Sequence, residues 1–310
     1  MVAPTPNSPA PTRGLDPRAL FAIRDLELRA RVVVEGLWAG LQRSPYTGFS
    51  AEFTEYRQYT VGDDLRHLDW RVVARTDRHY LKQFEDETNL RCQLLVDVSR
   101  SMEFGSTGVS KSQYARTLAA TLGYFLLKQR DAVGLATFAD GLLDVLPARW
   151  RRGQWRHLLA LLERTSPARD TRLDRALDHA APLWRRRSVV VIISDFLSPV
   201  SEWDRALGRV AAAGHDVRAI QVLDPAEQTL NFGRAAVWED IENGQTLYVD
   251  PDRARGGYLE RFSAHQSAVR LALQQRGIPH IGATLDRPLD LVLNDLIRGS
   301  GAARRLRRRR

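Results

Sequence analysis

The chain has one cysteine, Cys92, in 310 residues. An internal disulfide framework and any site built on several thiolates are therefore excluded. Lysine is nearly as scarce: Lys82, Lys111 and Lys128 are all there is, so arginine carries the positive charge. No apolar run approaches the roughly 18–20 residues that cross a bilayer. The longest, Val189–Ile193, has the length of a buried strand. The N-terminus lacks the charged-then-apolar pattern of a secretory signal. A cytoplasmic location is the expectation from these absences. His-Glu-x-x-His, Gly-x-Ser-x-Gly and paired-cysteine motifs are missing too, which removes the commonest metalloprotease, serine hydrolase and zinc signatures. The 7 histidines are scattered singly and read as surface or core residues.

What is present is ordinary for a globular protein: 44% apolar and 27% charged residues. A chain of this length can bury one large domain or two small ones. The net charge of +9 invites a nucleic-acid reading, but its distribution weakens one. Six arginines (Arg304, Arg305 and Arg307–Arg310) crowd the last seven residues, and without them the net charge is +3. Residues 300–310 are expected to be a basic, solvated, disordered tail. A nucleic-acid-associated protein, using this tail and the basic stretches Arg149–Arg156 and Arg185–Arg187, is the alternative to the reading developed below.

Residues 1–14 are rich in proline and are expected to be disordered. Asp16-Pro17 has the form of an N-cap followed by proline at the first helical position, and Leu20, Ile23, Leu26, Val33 and Leu37 continue an apolar face. One helix ending near Gly40 is predicted. The rest of segment 15–88 is polar and aromatic, with Tyr56, Tyr59, Trp70 and Phe84 as packing anchors, and is predicted to wrap a larger domain. Its charges, Asp63, Asp64 and Asp69 with Arg57, Arg66 and Arg75, read as a structural ion-pair network.

From residue 89 to 299, apolar runs alternate with amphipathic segments. Strands are predicted at 90–97, 132–138, 142–146, 188–194, 216–222 and 280–285, and helices at 112–129, 153–163, 172–184, 201–213, 252–276 and 288–298. This alternation predicts an α/β fold, a doubly wound, mostly parallel six-stranded sheet. The turn Ala139-Asp140-Gly141 forces a hairpin and so one antiparallel edge strand. Asn243-Gly244 marks a second hairpin.

Three short pieces carry the chemistry. The first strand runs into Asp97-x-Ser99-x-Ser101, Thr171 opens a later helix, and Asp195 follows the 188–194 strand. With strand order 3-2-1-4-5-6, Asp97 and Asp195 end neighbouring strands and reach one crevice. Asp97, Ser99, Ser101, Thr171 and Asp195 then form a set of hard oxygen donors suited to Mg2+, with Mn2+ as a substitute. Two catalytic readings are weaker. Gly105–Ser112 resembles a Walker A loop, but Ser110 stands where backbone must approach phosphate. Asp97 as a phosphoryl-accepting nucleophile lacks a second acid two residues on, where Ser99 stands.

These five residues, in order, resemble the metal-ion-dependent adhesion site of the von Willebrand factor type A fold over about 89–299. Where that family often has two glycines before the threonine, this chain has Arg169-Asp170. The resemblance implies direct ligation by the two serines, water-mediated aspartates and an open position for a partner's carboxylate. The segment Gly62-Asp63-Asp64-Leu65-Arg66-His67-Leu68-Asp69-Trp70, with Arg57-Gln58-Tyr59, Lys82-Gln83-Phe84-Glu85 and Val249-Asp250-Pro251, is similar to the domain-of-unknown-function family numbered 58. That resemblance spans roughly 40–299. It implies a non-enzymatic, chaperone-like interaction module, working with a MoxR-type AAA+ ATPase on a client protein, here in a form without membrane helices.

The tail is separable from the domain on this reading. Deleting residues 303–310 removes six positive charges and no predicted core residue, so the denaturation midpoint should stay unchanged. Weak, salt-sensitive RNA binding should vanish with the tail. Tight RNA binding by the truncated chain at physiological salt would favour the nucleic-acid alternative.

Overall fold

The computed structural model describes residues 14–43, 56–58, 80–82, 90–164, 171–231, 236–239, 246–249 and 251–297. The chain divides into two units, Ala39–Asn89 and the remainder. In the first, strands β1 (Tyr56–Gln58) and β2 (Tyr80–Lys82) pair antiparallel. The wrapping segment, its anchors Tyr59, Trp70 and Phe84 and its charged network otherwise lie outside the described residues, as do the two terminal tails.

The N-terminal stretch forms two helices rather than the single one predicted: α1 (Pro17–Phe21) and α2 (Leu26–Arg43). The break comes from competing caps. Asp16 accepts from the Arg18 amide at 3.0 Å, and Asp25 accepts from the Leu28 amide at 2.7 Å, starting a second helix inside the apolar periodicity.

The main unit is built on a six-stranded sheet. Its elements in chain order are β3 (Arg91–Asp97), α3 (Lys111–Lys128), β4 (Ala132–Phe138), β5 (Leu142–Arg149), α4 (Gln154–Glu163), α5 (Leu173–Ala180), β6 (Val189–Ser194), α6 (Val200–Ala212), β7 (Asp216–Leu223) and α7 (Pro225–Thr229). Then follow the hairpin β8 (Ala236–Glu239) and β9 (Thr246–Val249), α8 (Pro251–Gln275), β10 (His280–Thr284) and a helix, α9, at 289–297. The sheet order is β10-β7-β6-β3-β4-β5. Every pairing is parallel except β4 with β5. This is the predicted order, with strand polarity reversing once, at the β5 edge.

Two boundaries differ from the predicted ones for local reasons. Strand β5 runs on to Arg149 through Pro147, which an edge strand tolerates because one side of its backbone has no ladder to serve. The 172–184 helix closes at Ala180 and continues as a 3-10 turn, Ala181–Leu183, around Pro182.

Two helical layers cover the sheet. On one face α3 buries Tyr114, Ala115, Leu118, Ala119 and Leu122, with Phe21 stacked on Tyr114 and Trp38 tilted against Phe125 from the N-terminal helices. On the other, Leu177, Trp203, Leu207, Val269 and Leu273 pack with Leu95, Phe138, Val190 and Ile192 in one continuous cluster. β3 and β4 are therefore buried on both sides, which is why they read as unbroken apolar runs.

Gly134 marks the tightest backbone approach within the sheet. It sits in the register shift between β4 and β5, where a Cβ would stand 2.7 Å from the Ala148 amide nitrogen and 2.8 Å from the Leu146 carbonyl. Backbone atoms in a paired strand cannot give way as a side chain can. Gly134→Ala should therefore cost on the order of 1–3 kcal/mol of stability, read by urea denaturation. A neutral substitution would mean the bulge relaxes freely.

Candidate metal site at the strand ends

Three adjacent parallel strands each run into an aspartate. Asp97 closes β3, Asp195 follows β6, and Asp224 follows β7. All three carboxylates are buried, with Asp97 at 0%, Asp195 at 1% and Asp224 at 0% exposure. Like charges gathered at one edge in a poorly solvated place repel, so the neighbouring groups have to compensate.

Asp97 accepts from the Ser99 amide at 2.9 Å on one oxygen and from the Ser194 hydroxyl at 2.6 Å on the other. The Ser99 and Ser101 hydroxyls lie 3.1 Å apart, Ser101 standing in a 3-10 turn, Arg100–Glu103. The Thr171 side is tied to the same edge of the sheet. The Arg172 amide donates to the Ala139 carbonyl at 2.6 Å, and the Val98 amide to Phe138, the β4 residue paired with Asp97. Among the described residues the Thr171 hydroxyl is buried and has no hydrogen-bond partner. Asp195 accepts from the Leu197 amide at 3.2 Å, and its second oxygen meets the Lys111 ammonium at 2.9 Å.

The backbone beyond Asp195 is strained. Phe196 has φ of 52°, the left-handed region, although it is bulky and only 1% exposed. The Gln221 side-chain amide, through Nε2, donates to the Asp195 carbonyl at 2.8 Å, and His265 Nε2 lies 2.8 Å from the Phe196 carbonyl. Packing on Trp203, with ring centroids 5.6 Å apart, fixes the Phe196 ring.

Four participants were not foreseen from the sequence. Ser194 orients Asp97. Lys111 reads as part of a degenerate phosphate loop, yet its ammonium also meets Glu227 at 2.5 Å, so it is spent on carboxylates. Asp224 and Glu227 form a capping box on α7, with Pro225 at its first position, and Asp224 takes the Ser106 amide at 2.7 Å and hydroxyl at 2.5 Å. That pair is legible as Asp224-Pro225-x-Glu227 after an apolar strand.

The electrostatics follow from this supply of donors. Burial, and next the charge of Asp195, push the Asp97 carboxyl up to about 7, against hydrogen bonds from Ser194 and Ser99. Burial lowers the Lys111 ammonium, but Asp195 and Glu227 outweigh it and the net displacement is upward. Burial also holds Glu227 above the usual carboxylate range, with Lys111 offsetting only part. A single ammonium between two carboxylates keeps its charge, while each carboxylate receives only a share.

The donor set suits a hard divalent cation. Among the described residues no cluster of three histidine, cysteine or acidic side chains forms a metal nest. The hydroxyls of Ser99, Ser101 and Thr171 supply neutral oxygens, and the buried Thr171 oxygen has no other partner among the described residues. Both aspartates already have hydrogen-bond partners, so they suit a role through water.

The sheet order, with aspartates at its carboxyl edge, defines a doubly wound α/β domain. The family model "Protein of unknown function DUF58" matches residues 55–268, and the chain belongs to that family. An uncharacterized protein of Mycobacterium tuberculosis is 32% identical over 296 residues, covering 94% of this chain and 91% of its own length. Among solved structures, an aerotolerance-related membrane protein from Bacteroides fragilis overlaps 66% of this chain and 96% of its own, at 17% identity and a TM-score of 0.46. A von Willebrand factor type A protein from Catenulispora acidiphila overlaps 44% of this chain and 33% of its own, at 14% identity and a TM-score of 0.33. These overlaps concern fold alone. No helix among the described residues is long and apolar enough to cross a membrane.

A pH dependence follows for the metal-free protein. Because the Asp97 carboxyl lies near 7 when folded, against an ordinary 3.8, the folded chain binds more protons than the unfolded one between those values. Stability contributed by this group is therefore present at low pH and lost as pH rises through that window. In chelator, Asp97→Asn should flatten the stability profile between about pH 4 and 7 relative to wild type. Parallel profiles would contradict the assignment of that titration to Asp97.

Proposed function

We propose that this protein is a non-enzymatic, divalent-metal-dependent protein-interaction module, with Ser99, Ser101, Thr171, Asp97 and Asp195 as its metal site. The observation that carries this reading is the buried Thr171 hydroxyl, without a partner among the described residues, at the sheet edge that holds the paired Ser99 and Ser101 hydroxyls. A buried polar atom left unsatisfied is costly, and a cation satisfies it. Mg2+ is the physiological ion on this reading, with Mn2+ able to replace it.

The hydroxyls hold the cation directly and the two aspartates orient waters around it. A bound cation supplies an open coordination position that an incoming Asp or Glu completes. Neutral hydroxyl donors leave most of the positive charge available for that partner, in a place where solvent screens weakly. The family resemblance supports a MoxR-type AAA+ ATPase and a client protein as partners and a chaperone-like role; a cytoplasmic location is part of the same proposal.

Partner capture should then depend on metal and on Ser99 together. With the MoxR-type ATPase as the probe, Mg2+ should strengthen binding to the wild type, and EDTA should reverse it. Ser99→Ala should weaken capture as much as EDTA does, and the two losses should not add, since both remove one bridge. The same Mg2+ titration should raise the thermal midpoint. A ligand at 100 times its dissociation constant stabilises by about 2.7 kcal/mol when only the folded state binds it. Full capture by Ser99→Ala in EDTA would show that partners dock elsewhere.

A further inference from the structure

Lys111 is an unusual place for a lysine. Its side chain is 0% exposed, its ammonium stands 2.9 Å from Asp195 Oδ2 and 2.5 Å from Glu227 Oε1, and it is the first residue of α3. Lysine normally carries its charged head to water. The first turn of a helix is also where the peptide dipoles disfavour a cation. Neither carboxylate is idle: Asp195 belongs to the oxygen-donor set, and Glu227 closes the capping box of α7.

We propose that Lys111 is a positioning residue that sets how tightly the strand-end site holds a divalent cation. Glu227 determines how much of the ammonium's charge falls on Asp195. This rests on the metal-binding reading given above.

The argument is electrostatic. Any cation that Asp195 serves has an ammonium on the other side of the same carboxylate. Both are out of water, so their repulsion is weakly screened. Glu227 draws the ammonium from a second side and divides its charge. Removing Lys111 leaves the charge of Asp195 to the cation alone. Removing the charge of Glu227 gives the ammonium wholly to Asp195. The two substitutions, on different elements and at residues outside the donor set, therefore shift cation affinity in opposite directions. A triad that merely supports the fold would loosen the site in both variants and weaken binding in both.

The test is calorimetric titration of Mg2+ and of Mn2+ into the full chain as wild type, Lys111→Met, Glu227→Gln and the double variant. Methionine keeps an unbranched side chain in the same space. Lys111→Met should bind at least about tenfold more tightly, Glu227→Gln several-fold more weakly, and the double variant should fall between them. Shifts in the same direction, or no shift, overturn the proposal. If Lys111→Met fails to fold, Lys111→Gln, neutral yet able to hydrogen-bond both carboxylates, takes its place beside Glu227→Gln, whose residue lies nearer the surface with 15% of its side chain exposed. Unchanged or tighter binding by Glu227→Gln overturns the proposal. Wild-type binding that Lys111→Met leaves untouched keeps the metal reading and refutes the role of Lys111. Binding gained only by Lys111→Met refutes a resident metal but keeps that role, with the ammonium then filling the cation's place. No binding in any of the four proteins overturns both.

Discussion

Bringing buried carboxylates together at the ends of three neighbouring parallel strands is the constraint on which the rest of this site depends. Asp97, Asp195 and Asp224 sit where β3, β6 and β7 stop, and each is compensated differently. Asp224 is satisfied by amides and a hydroxyl from the Ser106 loop and its own helix. Asp195 shares the Lys111 ammonium with Glu227. Among the described residues Asp97 has only hydrogen bonds, from Ser194 and Ser99, and its carboxyl is left displaced upward. The charge deficit is thus concentrated on the side where the serine and threonine hydroxyls stand.

The surrounding structure holds this arrangement against its own repulsion. The Phe196 turn is strained in its backbone, and His265 of α8, Gln221 of β7 and the Trp203 ring of α6 all bear on it. Strain stored next to a charged group persists only where neighbours over-determine it. The double burial of β3 supplies the rigid base, since a close-packed core shifts as a unit rather than yielding at one residue. A site built this way is preorganised: its oxygens are positioned by the fold rather than gathered by the ligand.

Most of the fold was legible in the sequence because its strands are buried on both faces and read as short apolar runs between amphipathic helices. The antiparallel edge strand followed from the short turn at Ala139–Gly141, and the strand order matches the one assumed for a doubly wound sheet. What escaped was local competition. The Asp25 cap broke an apolar period that Leu20, Leu26 and Val33 sustain without a gap. The strand predicted to end at 146 runs on through Pro147, which an edge strand accepts. In the site, Asp97, Ser99 and Ser101 could be found together because they are close in sequence, and the Ser194 contact was hidden because 97 residues separate the pair. Lys111 could not be read at all, since its two partners lie 84 and 116 residues away and nothing local marks its head as buried. Asp224 and Glu227 were readable as a helix cap, but not as members of a charged cluster.

The central claim is that the hydroxyls of Ser99, Ser101 and Thr171 together hold one divalent cation. Anomalous scattering from crystals grown with Mn2+ tests it most directly, because it locates the ion without reference to stability or to a partner. The account predicts a single strong peak in coordinating contact with those three hydroxyl oxygens, with waters between it and the two aspartates. A peak on the far side of Glu227, or a site that stays free of manganese while Lys111 remains bound to Asp195, would contradict it.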